Sequence, residues 1–408
     1  MEYRPFPDER GDEFAAFMRY AFSPAEGPYD PDAADDRNGI ADRRGLFDDG
    51  DGPVAVCAHH YFSLRVRGTD REVAGLSAVA SPPEHRRQGN VGRMLRESLA
   101  EYRDRGVALS TLWPFSHPFY ANYGWATASR YRRLTAPPAQ LGFVDDLIAT
   151  AGADAGTFRR LDEDDYPAVE PVLSAMAERY DLTMDWTEAW WRERTLQGWK
   201  TDPFVYGWER DGELRAICAY SFDDDGDAGD GNDPVLRVTD VAVADDEAWF
   251  QLLRFFRNHD SQASAVRIRA PPDAPLLDLV ADPRAVDCEV RTGPMVRLVD
   301  VAAALEALSP DPAVEARFTL AVTDPLADWN DGTVRVAVED GSVAVAPVDT
   351  APAAADVTAG VGALSQLYVG YRSVDALRRG GDLAVDADAA GTLRDLFPTR
   401  TTHLREGF

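Results

Sequence analysis

The feature that most constrains the fold is a run of two strands, a glycine-containing turn, a long helix and a third strand. Residues 52–68 and 71–80 have strand-like patterns joined by a polar turn. Prolines at 82 and 83 end the extended structure, and apolar residues then recur at helical spacing over 90–105, before a strand at 107–113. This order predicts a βαβ-type unit.

The turn in this run, "SPPEHRRQGNVGRML" over 81–95, carries three arginines and one glutamate in a chain whose formal net charge is −28. A helix start exposes unpaired N–H groups and partial positive charge, and a turn without bulky side chains lets an anion approach them. Residues 87–92 are therefore predicted to hold a pyrophosphate. In the alternative interpretation, Arg86 and Arg87 only pair with surface carboxylates around the helix start.

The charge balance predicts a protein adapted to high salt. Asp and Glu number 70 against 42 Lys and Arg, and Lys200 is the one lysine, so hydrated carboxylates dominate the surface. An ordinary acidic cytosolic protein is the alternative. Broad nucleic-acid binding is disfavoured because phosphate backbones would be repelled. At ~1 M salt the screening length is ~3 Å, so contact hydrogen bonds must hold any bound anion.

The rest of the composition favours a cytoplasmic location with no membrane partner and no metal. The start of the chain lacks a basic segment followed by an apolar one, and no later apolar run approaches ~18–20 residues. Cys57, Cys218 and Cys288 are far apart and odd in number, which favours buried free thiols over a disulfide framework or a zinc site. The six histidines show no ligand spacing.

A second region repeats a similar order of predicted strands and helices. From residue 157 the pattern predicts a helix over 158–180, a hairpin that turns at Arg210-Asp211-Gly212, a strand, a loop and a helix over 235–259, and a strand at 265–270. "VTDVAVADDEAWFQLL" laid beside "LSAVASPPEHRRQGNVGRML" suggests a diverged internal repeat. The acidic stretch at 223–233 is predicted to be a solvated hairpin tip, because it lacks the Gly and Glu positions of a calcium loop.

A third block begins at Met295 with a strand that leads into a helix. Alternating strands follow, with a tight turn at Glu339-Asp340-Gly341, and helices are expected at 363–370 and 391–398. The block is predicted to be a small α+β domain. The domain boundaries predicted from these patterns are 1–140, 141–294 and 295–408.

Two motifs resemble a known family, the GNAT N-acetyltransferases. "VASPPEHRRQG" resembles their acetyl-CoA motif, R/Q-x-x-G-x-G/A, and "FYANYGW" resembles their Tyr-x-x-x-Gly-aromatic element. Val91 stands where the general motif has Gly or Ala, which is similar to the Eis (enhanced intracellular survival) branch. "MVRLVDVAAAL" and "DAAGTLRDLF" resemble that branch's C-terminal signatures, so the resemblance covers essentially the whole chain.

The resemblance implies an α+β fold: two tandem GNAT-like domains, the second degenerate, followed by a sterol-carrier-protein-like domain. It also implies a homo-oligomer, often a hexamer, and acetyl-CoA as co-substrate. The residues that it assigns to acetyl-CoA are Val79, Ala80 and Ser81 for the pantetheine arm; Arg87, Gln88, Gly89, Asn90, Val91 and Gly92 for the pyrophosphate; and Phe115 and Ser116 as further contacts. Because 244–247 of the second repeat read Ala-Asp-Asp-Glu, which would repel a diphosphate, one acetyl-CoA site per chain is predicted, in the first domain.

The resemblance further implies the catalytic groups. Tyr120, four residues before Gly124, matches the family's general acid, and a phenol with a reference pKa near ~10 is protonated at neutral pH. The C-terminal carboxylate of Phe408 matches its general base, and Glu406 is a substitute base or an amine-binding group. The alternatives are a core tyrosine and an ordinary frayed chain end.

The sequence thus predicts an acetyl-CoA-dependent N-acetyltransferase. Its acceptor is expected to be an amine: an aminoglycoside-like compound, a polyamine or a lysine side chain. One alternative is a non-catalytic protein that senses acetyl-CoA or binds an apolar ligand through its C-terminal domain. A structural assembly protein is the other.

Overall fold

The computed structural model describes residues 1–31, 40–151, 156–198, 201–223 and 234–408. Its strands, in chain order, are β1 (Glu2–Pro5), β2 (Asp42–Phe47), β3 (Pro53–Val66), β4 (Thr69–Ala80), β5 (Leu109–Leu112), β6 (Ala126–Thr127), β7 (Arg130–Ala136), β8 (Thr157–Arg160), β9 (Met184–Asp185), β10 (Phe204–Arg210), β11 (Glu213–Asp223), β12 (Val235–Val243), β13 (Ala265–Ala270), β14 (Asp287–Thr292), β15 (Met295–Leu298), β16 (Ala316–Thr323), β17 (Gly332–Glu339), β18 (Ser342–Pro347), β19 (Val357–Gly360) and β20 (Leu383–Val385).

The α-helices are α1 (Gly11–Phe22), α2 (Asn90–Asp104), α3 (His117–Ala121), α4 (Val144–Ala151), α5 (Tyr166–Arg179), α6 (Glu188–Trp190), α7 (Asp246–Arg257), α8 (Leu276–Leu279), α9 (Val301–Glu306), α10 (Val361–Tyr368), α11 (Val374–Gly380) and α12 (Ala387–Leu396). None of the helices in the described ranges is both long enough and apolar enough to cross a membrane.

The first sheet has the order β1-β2-β3-β4-β5-β15-β6, and β9 pairs with β3. The predicted βαβ unit is confirmed as β4, α2 and β5, with β4 and β5 parallel. These two strands pair only at Ala74↔Ser110 and Gly75↔Thr111. Past Gly75 they separate, and we call this separation the first cleft.

The second sheet, β14-β7-β13-β12-β11-β10-β8, repeats the unit as β12, α7 and β13. The predicted hairpin at 210–212 is present between β10 and β11. β12 and β13 pair in parallel from Val235↔Ala265 to Val238↔Ile268 and then separate, which forms a second cleft. The prediction of a helix over 158–180 was wrong at its start, where β8 adds an edge strand beside β10 before α5 begins. Residues 224–233 of the predicted acidic hairpin tip lie outside the described residues.

Each of the two sheets contains one strand that the predicted boundaries assign to a different domain. β7 follows the first sheet directly but pairs with β13 and β14 in the second. β15 follows the second sheet but pairs with β5 and β6 in the first. The boundaries at 140 and 295 remain predictions, and the exchanged strands tie the two sheets together.

The third sheet has the order β18-β17-β16-β19-β20 and is packed with α9 to α12. The tight turn predicted at 339–341 joins β17 to β18, with positive φ at Asp340 and Gly341. A fully buried ion pair, Arg297 to Asp324, connects β15 of the first sheet to this region. Arg297 also donates to the Tyr123 carbonyl at 2.8 Å. Through Arg297, the third region is therefore linked to the segment that carries Tyr120.

The three cysteines are free thiols, with Cys57 and Cys218 buried and Cys288 half-buried. Across the described ranges, His, Cys, Asp and Glu form no group of three or more arranged to hold a metal ion.

Candidate active site

A bulge on β4 lies at the mouth of the first cleft. Ser77 pairs with Ala58 and Ala80 pairs with Val56, so β4 has one more residue than β3 between these pairs. Ala78, in the bulge, has φ +55°, which a non-glycine residue rarely adopts. Such a bulge interrupts the sheet pairing and frees backbone groups for other partners.

A cavity of about 560 Å³ opens from this bulge to the start of α2. Of the predicted acetyl-CoA contacts, the following line it: Val79, Ala80, Ser81, Arg87, Gly89, Asn90, Val91, Gly92 and Phe115. Gln88 and Ser116 do not: the Gln88 amide donates to the Glu84 carbonyl at 2.9 Å, and Ser116 is the residue before α3. Lining residues that the sequence analysis did not assign are Ala21, Phe22, His85, Arg86, Phe119 and Tyr123. Phe119 and Tyr123 belong to the "FYANYGW" motif and could have been found there, whereas nothing in the sequence marks Ala21 and Phe22.

The predicted pyrophosphate site, residues 87–92, is here called the phosphate cradle. Arg87 and Gly89 have positive φ values of 59° and 81°, and Gly89 precedes the first residue of α2. Arg93 is the first residue whose N–H reaches a helix-type acceptor, the Gly89 carbonyl at 3.0 Å. Within the described residues, the N–H groups of 87–92 have no protein acceptor. These donors and the positive end of the α2 dipole suit a diphosphate.

Two side chains hold the cradle in shape. Asn90 Nδ2 donates to the His85 carbonyl at 3.0 Å, and Arg86 Nε donates to the Ser81 carbonyl at 2.8 Å. Neither Arg86 nor Arg87 forms an ion pair with a carboxylate in the part of the chain that the structure describes. A Cβ at Gly92 would lie 2.9 Å from the Tyr123 hydroxyl, so the glycine lets that ring pack on the first turn of α2.

The corresponding helix start in the second sheet is closed by the protein's own carboxylates. Asp245 precedes α7 and its side chain accepts the Ala248 N–H at 2.8 Å. Asp245 also pairs with Arg215, and Glu247 pairs with Arg210. The cavity beside this helix measures about 40 Å³, about the space of one or two water molecules. The second cleft therefore lacks the room for a diphosphate, and the carboxylates at the start of α7 would repel one.

Tyr120 lies on α3 and is 3% exposed, with its ring against those of Phe115, Phe119 and Trp125. Burial, with a smaller contribution from Cys57, raises the pKa of Tyr120 well above its usual value of 10. The hydroxyl is therefore protonated at neutral pH.

The C-terminal segment is firmly held. Residues 402–406 are buried, and Thr402 forms an isolated parallel bridge with Asp181. The Glu406 carbonyl accepts the Trp113 indole N–H at 2.7 Å, and the Gly407 carbonyl accepts Arg194 Nη2 at 3.2 Å. A chain end with these bonds is ordered rather than frayed.

Phe408 lies at the base of the first cleft. Its ring centroid is 5.0 Å from that of Phe62 and 5.5 Å from that of His60. A Cβ at Gly75, the last β4 residue paired with β5, would lie 2.9 Å from the Phe408 ring. The pKa of His60 is lowered to about 3 by burial and then by the charge of Arg194, so this imidazole is neutral at pH 7.

The Glu406 side chain is buried and fully engaged. Its Oε1 accepts hydrogen bonds from the Trp186 indole and from Arg405 Nε, each at 2.8 Å. The structure thus places the carboxylate of Glu406 in an ion pair with Arg405. No sequence motif marks Arg194, His60 or Arg405, so no role was predicted for them.

Comparison with known families assigns the three regions. Residues 2–128 and residues 182–298 each match an acetyltransferase (GNAT) domain, and residues 301–405 match a sterol carrier protein domain. The chain belongs to the GNAT acetyltransferases. The predicted fold class, two GNAT domains followed by a sterol-carrier-protein-like α+β domain, is confirmed, and GNAT domains use acetyl-CoA.

Relatives of this GNAT acetyltransferase include an uncharacterized N-acetyltransferase of Streptomyces griseus, 29% identical over 76% of each chain. Another, from Streptomyces avermitilis, is 26% identical over 88% of this chain and 85% of its own. Among solved structures, a probable N-acyltransferase of Enterococcus faecalis V583 has a TM-score of 0.82 at 21% identity, over 100% of this chain and 99% of the other. Eis1 of Mycobacterium abscessus has a TM-score of 0.74 at 20% identity over 100% of both chains. At these identities the two structures establish a shared fold.

Proposed function

We propose that this GNAT acetyltransferase transfers the acetyl group of acetyl-CoA directly to an amine, and that Tyr120 and the carboxylate of Phe408 are its catalytic groups. The observation that carries the proposal is the phosphate cradle. Its N–H groups have no acceptor among the described residues and border a cavity that continues to the bulge on β4. An anion-binding helix start joined to a cavity lined by strand backbone is the arrangement that a pantetheine diphosphate requires.

The proposed reaction needs one base and one acid. The amine gives its proton to the Phe408 carboxylate and attacks the acetyl carbon; the C–S bond breaks, and the Tyr120 hydroxyl protonates the departing thiolate of coenzyme A. The phenol of Tyr120 suits the acid role because it is protonated at neutral pH. The anchored Phe408 ring supports the base role because it fixes the end of the chain at the cleft.

The chain end offers a direct test of the base. Adding one glycine after Phe408 leaves the ring in place and moves the terminal carboxylate by about one residue length, ~3.5 Å. We expect kcat to fall by about 10²-fold or more, the usual contribution of a positioned base, with unchanged affinity for acetyl-CoA. Phe408→Tyr, which keeps both the ring and the register of the terminal carboxylate, is the matched control. Unchanged turnover of the extended chain would remove Phe408 from the mechanism.

The acceptor is proposed to be an aminoglycoside-like compound, a polyamine or a lysine side chain. A screen of these amines with acetyl-CoA, run in high salt, tests this class. The alternative is an acetyl-CoA sensor or apolar-ligand carrier that uses residues 301–405, and the match to a sterol carrier protein domain is compatible with it. That alternative predicts no turnover with any amine, and binding of a fluorescent fatty acid or sterol.

We further propose that the protein is an Eis-like enzyme of a high-salt cytoplasm that works as a homo-oligomer, as large as a hexamer, without nucleic-acid or membrane partners. The shared fold with Eis1 and the net charge of −28 support this assignment. Sedimentation in 2 M KCl gives the oligomeric state.

A further inference from the structure

The side chain of Arg405 enters the second cleft. β12 and β13 separate after Val238, and a one-residue bulge at Thr239 follows, because Val238 and Asp240 pair with adjacent residues of β11. The carbonyl of Val241, beyond that bulge, accepts Arg405 Nη1 at 2.9 Å. The same nitrogen contacts Met176 Sδ of α5 at 3.6 Å.

The two clefts are built alike but filled differently. Each has a bulged strand that separates from its parallel neighbour just before a helix. In the first cleft, Val79 and Ala80 line a cavity of about 560 Å³. In the second, Val241 binds a guanidinium, and the remaining cavity is about 40 Å³. A side chain of the protein itself therefore contacts the part of the second GNAT domain that corresponds to the cavity wall of the first.

Arg405 also connects the second cleft to the chain end. Its Nη1 lies 3.4 Å from Asp240 of β12, its Nε donates to Glu406, and its guanidinium stacks 4.7 Å from the Trp186 ring centroid. Glu406 is held in turn by Trp186 and by Trp113, the residue after β5. Only two residues, Glu406 and Gly407, lie between Arg405 and Phe408, so at most ~10 Å of chain separates Arg405 from the base of the first cleft.

We propose that the second GNAT domain serves as the anchor of the C-terminus, with Arg405 as the positioning residue that sets where the Phe408 carboxylate lies. This inference rests on the proposed role of Phe408 as general base. The second domain then supports the reaction in the first domain by holding the chain end in place. The buried cation is compensated on both sides, by Asp240 in the cleft and by Glu406 in the tail.

Release of Phe408 by carboxypeptidase A, followed by mass spectrometry, measures the anchor directly. The variants are Arg405→Met and Arg405→Lys, with Arg394→Met, which breaks the Arg394–Asp375 pair on the third domain, as the matched control. We expect Arg405→Met to speed release by about tenfold, the factor for one lost charge-assisted hydrogen bond, and to lower kcat to a similar extent. Arg405→Lys should restore part of both, and the KM for acetyl-CoA should change by less than about twofold because the cradle is untouched.

The outcomes separate the two proposals. Faster release with unchanged kcat would support the anchor and contradict the role of Phe408 as base. Unchanged release in both Arg405 variants would overturn the anchor whatever the activity. Should Arg405→Met lose its folded circular dichroism or its coenzyme A binding, Arg405→Lys alone is measured, because it keeps the buried positive charge but has no Nε to bond Glu406 while its amine bonds the Val241 carbonyl. Release at the wild-type rate in Arg405→Lys would then overturn the anchor.

Discussion

Tyr120 is the residue proposed as the acid, and its ring packs against those of Phe115, Phe119 and Trp125. Burial raises its pKa, so the phenol carries its proton at neutral pH. We expect Tyr120→Phe to lower kcat by about 10²-fold to 10⁴-fold, the range for a positioned acid, because the aromatic packing stays and only the proton donor is lost. Tyr371→Phe is the control, since Tyr371 does not line the cavity. A Tyr120→Phe enzyme with wild-type kcat would show that the acid lies elsewhere.

For single residues, the sequence predicted the role of the backbone better than the direction in which a side chain points. Gly89 and Gly92 were assigned from a motif. The absence of a side chain allows the positive φ of Gly89, and it allows Tyr123 to approach Gly92 closely. Gln88 belongs to the same motif, yet its amide turns back to the Glu84 carbonyl. No sequence motif marks Arg405, because its hydrogen-bond partner on β12, Val241, is about 160 residues away in the chain.

The starts of α2 and α7 are the elements that distinguish the two GNAT domains. Asp245→Ala removes the cap of α7 and should lower the free energy of unfolding by about 1 kcal/mol, while the affinity for acetyl-CoA stays the same. Urea unfolding and calorimetric titration measure the two quantities. A loss of acetyl-CoA affinity in this variant would mean that α7 takes part in binding.

The matched change on α2 is Gly89→Ala. Its Cβ would meet no protein atom within 4 Å, but the residue has φ +81° and its N–H belongs to the cradle. A shift of this turn should cost at least one hydrogen bond to the diphosphate, so we expect the affinity for acetyl-CoA to fall by about tenfold. Equal affinity in Gly89→Ala and the wild type would argue against the cradle.

Among the elements, the sequence predicted the βαβ units, the hairpins and several of the helices, because these depend on local periodicity and turn residues. It did not predict the exchange of β7 and β15 between the sheets. Short strands of seven and four residues carry no local signal for their partner, which is chosen by pairing across more than a hundred residues. Nor did the sequence predict the short helices α3, α4, α6, α8 and α11.

For the whole molecule, the net charge of −28 predicts a stability that depends on salt. Close to neutral pH the excess carboxylates repel one another, and screening removes that repulsion. We expect the urea midpoint to rise by about 1 M or more between 0.1 M and 2 M KCl, which corresponds to roughly 2 kcal/mol. Sucrose at equal osmolarity controls for general exclusion from the surface. A midpoint that does not change with KCl would contradict the assignment to a high-salt cytoplasm.

We propose that one of the two GNAT domains binds acetyl-CoA and that it does so through the amides of residues 87–92. A crystal structure of the complex with coenzyme A, in high salt, tests this binding mode. We expect one coenzyme per chain, its diphosphate within hydrogen-bond distance of those amides and its thiol beside Tyr120, with Arg405 still in the second cleft. A diphosphate at the start of α7, or an unliganded cradle in a chain that has bound coenzyme elsewhere, would contradict it.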